Sequence, residues 1–117
     1  MKSTTPDISL ETLLQLLVES GFEIVLKPES ALLAQSAKPR VRARTATATI
    51  KGLIVPDENV ILINRDLTKQ ERVITAIHEL IHLHSPKLSE DVTEQEAQRL
   101  FARLNERDLG YLEFLVS

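Results

Sequence analysis

Only three histidines occur in this chain, and two of them, His78 and His82, stand four residues apart with Glu79 beside the first. Four residues advance an α-helix by about 400°, which leaves only about 40° between two side chains, so both imidazoles project from one side. One metal ion can then take a nitrogen from each ring. The H-E-x-x-H order adds a carboxylate, Glu79, within reach of a water held on that ion. Zinc bound by three protein ligands keeps a fourth position open and lowers the pKa of the water there toward ~7. Glu79 is then the general base, moving a proton from that water to a leaving amine. Shuffling this composition yields the pattern with an expected count of roughly 0.005, so coincidence is a weak account of it.

The third ligand has to come from elsewhere. There is no cysteine. His84 is six residues from His78, about 240° round a helix, and faces away. Carboxylates follow at Glu90, Asp91, Glu94 and Glu96. Thr93 and Glu96 read as a capping box, which would fold the Glu96 side chain back onto the Thr93 amide. Glu94 shares a helix face with Ala97, Phe101 and Leu104, the face that packs inward. Glu94 is therefore the leading candidate, with Glu90, Asp91 and Glu96 as alternatives.

A helix must carry the motif, and the sequence supplies one. Thr68 with Glu71 is a capping box, and the pattern runs through His78 and His82 to about His84, where Pro86 stops it. Val73, Ile74, Ile77, Leu80 and Ile81 surround the motif with apolar side chains. The acidic loop over 85–92 leads to a second helix from Thr93 to about Asn105, with Ala97, Leu100, Phe101 and Leu104 as its buried stripe. Upstream, Asp7 is placed to cap a helix to Ser20, with Leu10, Leu13, Leu14, Leu17 and Val18 on one face and Gly21 at its end. Phe22 to Lys27 reads as a strand stopped by Pro28, and 31–34 as a helical turn. Arg40 to Val55 is extended throughout and counts as one strand. A turn at 56–59 joins it in a hairpin to the apolar strand Val60 to Asn64. Residues 109–116 are apolar enough to dock on the domain or on a second chain. The expectation is an α+β domain with a three-stranded sheet.

The 117 residues suffice for one domain, here 7–117 behind a disordered lead-in over 1–6. With no tryptophan, one tyrosine and three phenylalanines the core must be aliphatic. A net charge of −3 argues against direct nucleic-acid binding by the whole protein. Absent cysteine, an N-terminus without a signal-like apolar stretch and no membrane-length apolar run fit a reducing cytoplasm. Three further features carry expectations. The small residues from Ala43 to Thr49 would let a substrate backbone pair with that strand, with a plain solvated strand as the simpler reading. Lys38, Arg40, Arg42 and Arg44 read as charges guarding a sheet edge, with an acidic partner or nucleic acid as the alternative. Tyr111, the only tyrosine, would have to reach the site to steady an oxyanion, and a structural role is the simpler reading.

The stretch VILINRDLTKQERVITAIHELIHLHS, followed by EQEAQRLFARL, resembles the ImmA/IrrE family of small zinc metallopeptidases. Those proteins carry H-E-L-G-H on a helix, then E-x-E-A-N with F-A shortly after. The matching residues here are His78, Glu79 and His82, then Glu94, Glu96 and Ala97, with Phe101 and Ala102 one place later. The similarity covers roughly residues 8–104. It implies a minimal zincin-like fold, with the hairpin packed against the H-E-x-x-H helix and two or three further helices. It implies Zn2+ held by His78, His82 and Glu94, with Glu79 catalytic. It also implies cleavage of another protein, often a DNA-binding repressor in a stress or mobile-element switch. The chain departs from the pattern at Ile81, where the family has glycine, and at Gln98, where it has asparagine. No helix-turn-helix or sensor domain accompanies the core, so it reads as the catalytic unit alone. A zincin-fold module that regulates a partner without proteolysis is the alternative.

Overall fold

The computed structural model describes residues 8–39, 41–46 and 49–117. In chain order it has α1 (Leu10–Ser20), β1 (Glu23–Lys27), α2 (Glu29–Ser36), β2 (Arg42–Ala46), β3 (Thr49–Val55), a 3-10 turn (Pro56–Glu58), β4 (Val60–Asn64), α3 (Lys69–His84), α4 (Glu90–Ala102) and α5 (Glu106–Leu115). The class is α+β, as expected. Among the described residues the sheet has four strands in the order β1-β4-β3-β2 rather than three, and there are five helices. β1 runs parallel to β4, while β4, β3 and β2 are antiparallel neighbours. The extra strand comes from 40–55. It divides into β2 and β3, which pair with each other across 47–48, outside the described residues.

Alternation along the central strands builds two cores. Ile61 and Ile63 of β4, with Ile54 of β3, face α3 and join Leu13, Ile74, Ile77, Leu80 and Leu112. Leu62, Leu53 and Val55 face the other way and join Leu32 of α2. Side chains of a strand point alternately to its two faces, so an all-apolar strand such as Val60–Asn64 belongs where both faces are covered. The 56–59 turn makes the expected β3–β4 hairpin, with Asn59 in the left-handed region at φ 53°.

Local signals decide the helix ends, and several expectations need correction. Asp7 lies outside the described residues, as does the 1–6 lead-in. Ser9 is the cap of α1, its hydroxyl accepting from the Thr12 amide. On that helix Leu13 and Leu17 are buried, but Val18, 100° further round, is 76 % exposed. The turn expected at 31–34 is a full helix, α2. Thr68 caps α3 as expected, accepting from the Glu71 amide. The Glu71 carboxylate does not close the box; it turns to Arg44 and Lys51. Ser89, not Thr93, caps α4, so that helix begins a turn early and Thr93 lies inside it, donating to the Ser89 carbonyl. It also ends at Ala102, and Asn105 caps α5 instead. Residues 109–116 do dock on the domain, through Leu112 and Val116. No helix among the described residues is long and apolar enough to cross a membrane.

Candidate metal centre

α3 lies across the sheet, and every residue from Val73 to His82 is buried. The motif falls in this span. His78 is 2 % exposed, His82 3 % and Glu79 0 %. The imidazole rings stand edge to face with centroids 4.8 Å apart. His78, Glu79 and His82 form a group able to hold a metal ion, each offering one ligand atom within 4.8 Å of the others.

Each ring nitrogen has a distinct neighbour. His78 Nδ1 lies 2.9 Å from Glu94 Oε1. A carboxylate only accepts, so Nδ1 carries the proton and Nε2 keeps its lone pair. That Nε2 is buried with no hydrogen-bond partner. Burial holds His78 below the usual histidine value, with the neighbouring His82 as the next cause, so the ring is neutral, as a ligand must be. His82 is set the other way. Its Nδ1 is 3.2 Å from Arg42 Nη1. A guanidinium only donates, so Nδ1 accepts and Nε2–H points to Glu90, at 2.5 Å from Oε1 and 3.1 Å from Oε2.

Glu79 is a buried carboxyl with no hydrogen bond to offset its burial. Both of its oxygens are buried without a partner. Burial, with the Glu90 charge next, pushes its carboxyl well above the usual range. A divalent cation beside it would be the counter-charge it lacks. The donor set therefore fits a metal: two imidazoles on one helix face, an orphaned Nε2, an orphaned carboxyl and further carboxylates on α4.

Of the candidate third ligands, Glu94 and Glu90 both reach the histidines. Glu94 meets the Nδ1 side of His78, and Glu90 the Nε2 side of both rings, 3.5 Å from His78 Nε2. Asp91 is exposed on the rim of a cavity of about 430 Å³ that His78, Arg44, Glu90 and Glu94 also line. Glu96 is buried and pairs with Arg99, so its expected return to the Thr93 amide is not observed. His84 is exposed, as expected, with Nδ1 2.7 Å from the Ser85 hydroxyl. Tyr111 is 46 % exposed on α5 and lines none of the cavities that His78 and His82 line.

No local pattern in the sequence points to the network behind Glu94. Arg44 was expected on a solvated edge with its basic neighbours. Instead it is 6 % exposed and turns inward from β2, beside an irregularity in strand register at Arg44/Thr45. Its Nε and Nη2 donate to the two Glu94 oxygens at 2.8 and 2.7 Å. Nη1 donates to the Thr75 hydroxyl at 2.8 Å and to Glu71 at 3.2 Å, where Lys51 Nζ also donates at 2.6 Å. The guanidinium's hydrogen bonds bring Glu94 down to about 2. The basic stretch is thus dispersed: Lys38 pairs with Glu58 at the surface, Arg42 meets His82, and Arg40 lies outside the described residues. Gly52 was also missed. A Cβ there would collide with Thr75 Cγ2 and lie 3.3 Å from Glu79 Oε2, so only glycine lets β3 approach α3 at the motif. A lone glycine inside an apolar strand is the signal that marks such an approach. Compared with known proteins, the chain matches no family model, no curated protein and no solved structure.

Proposed function

We propose that this chain is a zinc-dependent endopeptidase built on a minimal zincin-like domain, in keeping with the resemblance of its motifs to the ImmA/IrrE family. One observation carries the reading: the H-E-x-x-H side chains are buried together on a capped helix, with His78 Nε2 and both Glu79 oxygens unpartnered. A purely structural histidine pair would be satisfied by hydrogen bonds, since orphaned buried polar groups are costly.

His78 and His82 would hold the ion, joined by a carboxylate from α4. When bound, zinc supplies a Lewis acid for the scissile carbonyl and activates water. Glu79 accepts a proton at its carboxylate and delivers it to the leaving amine. Burial of His78, Glu79 and His82 between α3 and the sheet keeps bulk water from them and strengthens each charge interaction at the site. β2 lies at the end of the sheet order, with one edge unpaired among the described residues. A substrate backbone can add there as a further strand, beside the small residues Ala43 and Thr45. The substrate would be another protein, such as a DNA-binding repressor, met in the cytoplasm.

Two measurements test this. Equilibrium dialysis of the purified chain at neutral pH should find about one zinc per chain, and zinc no higher than in a His78→Ala/His82→Ala control overturns the reading. Glu79→Gln should retain that zinc while cleavage of a labelled unfolded protein falls by about 10²- to 10⁴-fold. Zinc binding with no cleavage in the parent chain favours the non-proteolytic regulatory module.

A further inference from the structure

Glu90 and Glu94 stand four residues apart on α4, so both carboxylates reach toward α3 from one side. Their surroundings differ. Both oxygens of Glu94 are engaged: Oε1 by Arg44 Nε and His78 Nδ1, Oε2 by Arg44 Nη2 and by Gln98 Nε2 at 2.9 Å. A guanidinium fork on a carboxylate is among the strongest and most directional pairs available. Arg44 is itself buried and bonded to Thr75 and Glu71, so releasing Glu94 would leave a buried cation with Glu71 alone, a carboxylate it shares with Lys51. Glu94 cannot offer an oxygen to a metal without dissolving this network.

Glu90 is held by nothing comparable. Its side chain is 57 % exposed, and among the described residues its polar contacts are the Nε2 atoms of His82 and His78. Those two nitrogens are the pair left for a metal once Nδ1 of His78 is committed to Glu94. His78 Nε2, 2 % exposed as a residue and without a hydrogen-bond partner, is aimed at the same place.

We infer that the two carboxylates divide the work: Glu90 supplies the third metal ligand, while Glu94, locked by Arg44, fixes the His78 ring through Nδ1. Metal-binding histidines commonly donate their second ring N–H to a carboxylate, which sets the tautomer and the ring plane. Here that carboxylate is tied through Arg44 to β2, so Arg44 is a positioning residue that links the proposed peptide-binding strand to the metal site. The assignment rests on the metal-site reading above and moves the third ligand from Glu94 to Glu90.

The test uses the full chain, with Zn2+ affinity read by chelator competition and the ligand set by the visible spectrum of the Co2+ form. Glu90→Ala should weaken zinc binding more than about 100-fold and change the cobalt bands. Glu94→Gln should weaken it about 10- to 100-fold, the range for a residue behind the ligands, and leave the band positions as in the parent. Because Glu90 is mostly exposed, its variant should fold, which thermal melting of the metal-free protein checks. Parent-like zinc affinity in Glu90→Ala, or cobalt bands that shift in Glu94→Gln instead, overturns the assignment alone. A parent chain that takes up neither metal overturns the metal-site reading and this assignment together.

Discussion

The two histidines of one helix face live in different surroundings. At the His78 end, Arg44, Glu94, Glu71 and Thr75 form a continuous set of charged hydrogen bonds that joins β2 to α3 and α4. At the His82 end, an exposed Arg42 and an exposed Glu90 touch the ring from either side. The first arrangement fixes a ring before any ligand arrives. The second leaves a ring whose partners can move. The proposed site, which would bind a metal and admit a substrate, would use both properties, and here they sit one helical turn apart.

Arg44→Met should break the ordered end and have the largest effect. It removes a buried cation from three partners and leaves Glu94 and Glu71 facing each other without their shared counter-charge. Both acids are about one-third exposed, which softens the penalty, so the loss should be about 3 kcal/mol, toward the lower end for broken buried pairs. Urea unfolding of the metal-free chain measures it. A loss under about 0.5 kcal/mol would mean that the two ends are equally loose.

Gly52→Ala attacks the same end from the sheet side. The added Cβ meets Thr75 Cγ2, approaches the Leu62 carbonyl oxygen at 3.0 Å and lies 3.3 Å from Glu79 Oε2. Thr75 is a short β-branched side chain that cannot swing clear, so α3 must lift from β3. Overpacking of this kind should cost about 1–2 kcal/mol, read in the same unfolding experiment. It should also loosen zinc binding, since His78 moves with Thr75 and Glu79.

The ends differ in how far the sequence revealed them. The motif helix was legible because Thr68, the apolar periodicity and Pro86 all agree on one element, and β4 was legible because five residues without a surface face can only be central. The strand break inside 40–55 was not, because small residues and threonines suit an extended chain throughout and no residue type there signals a break. Ser89 and Thr93 are both competent caps, and choosing the later one moved the start of α4 by four residues, a whole turn. That error left Glu90 in a loop and made Glu94 seem the first inward acid. Arg44 was read as surface for a sound reason, since unpaired arginine is rarely buried. Its partners lie 27, 31 and 50 residues away, and no local pattern reports a pairing that only the fold creates.

Arg42→Met probes the loose end and should have the smallest effect on stability, within about 0.5 kcal/mol, as for exposed positions generally. Its effect on metal binding has the opposite sign to that of Glu94→Gln. Arg42 donates to Nδ1 of His82 and so favours the tautomer with a proton on Nε2, the nitrogen a metal would need. Removing that donor frees Nδ1 to carry the proton and Nε2 to bind. The gain should be a few-fold in zinc affinity, the worth of one partly exposed hydrogen bond at ~0.5–1 kcal/mol. Glu94→Gln should weaken binding because it disturbs a ring already set for the metal; Arg42→Met should strengthen it because it releases a ring set against it. Chelator competition on the two variants reads both signs, and weaker binding in Arg42→Met would mean that Arg42 serves the metal by orienting the His82 ring and does not oppose it through the tautomer.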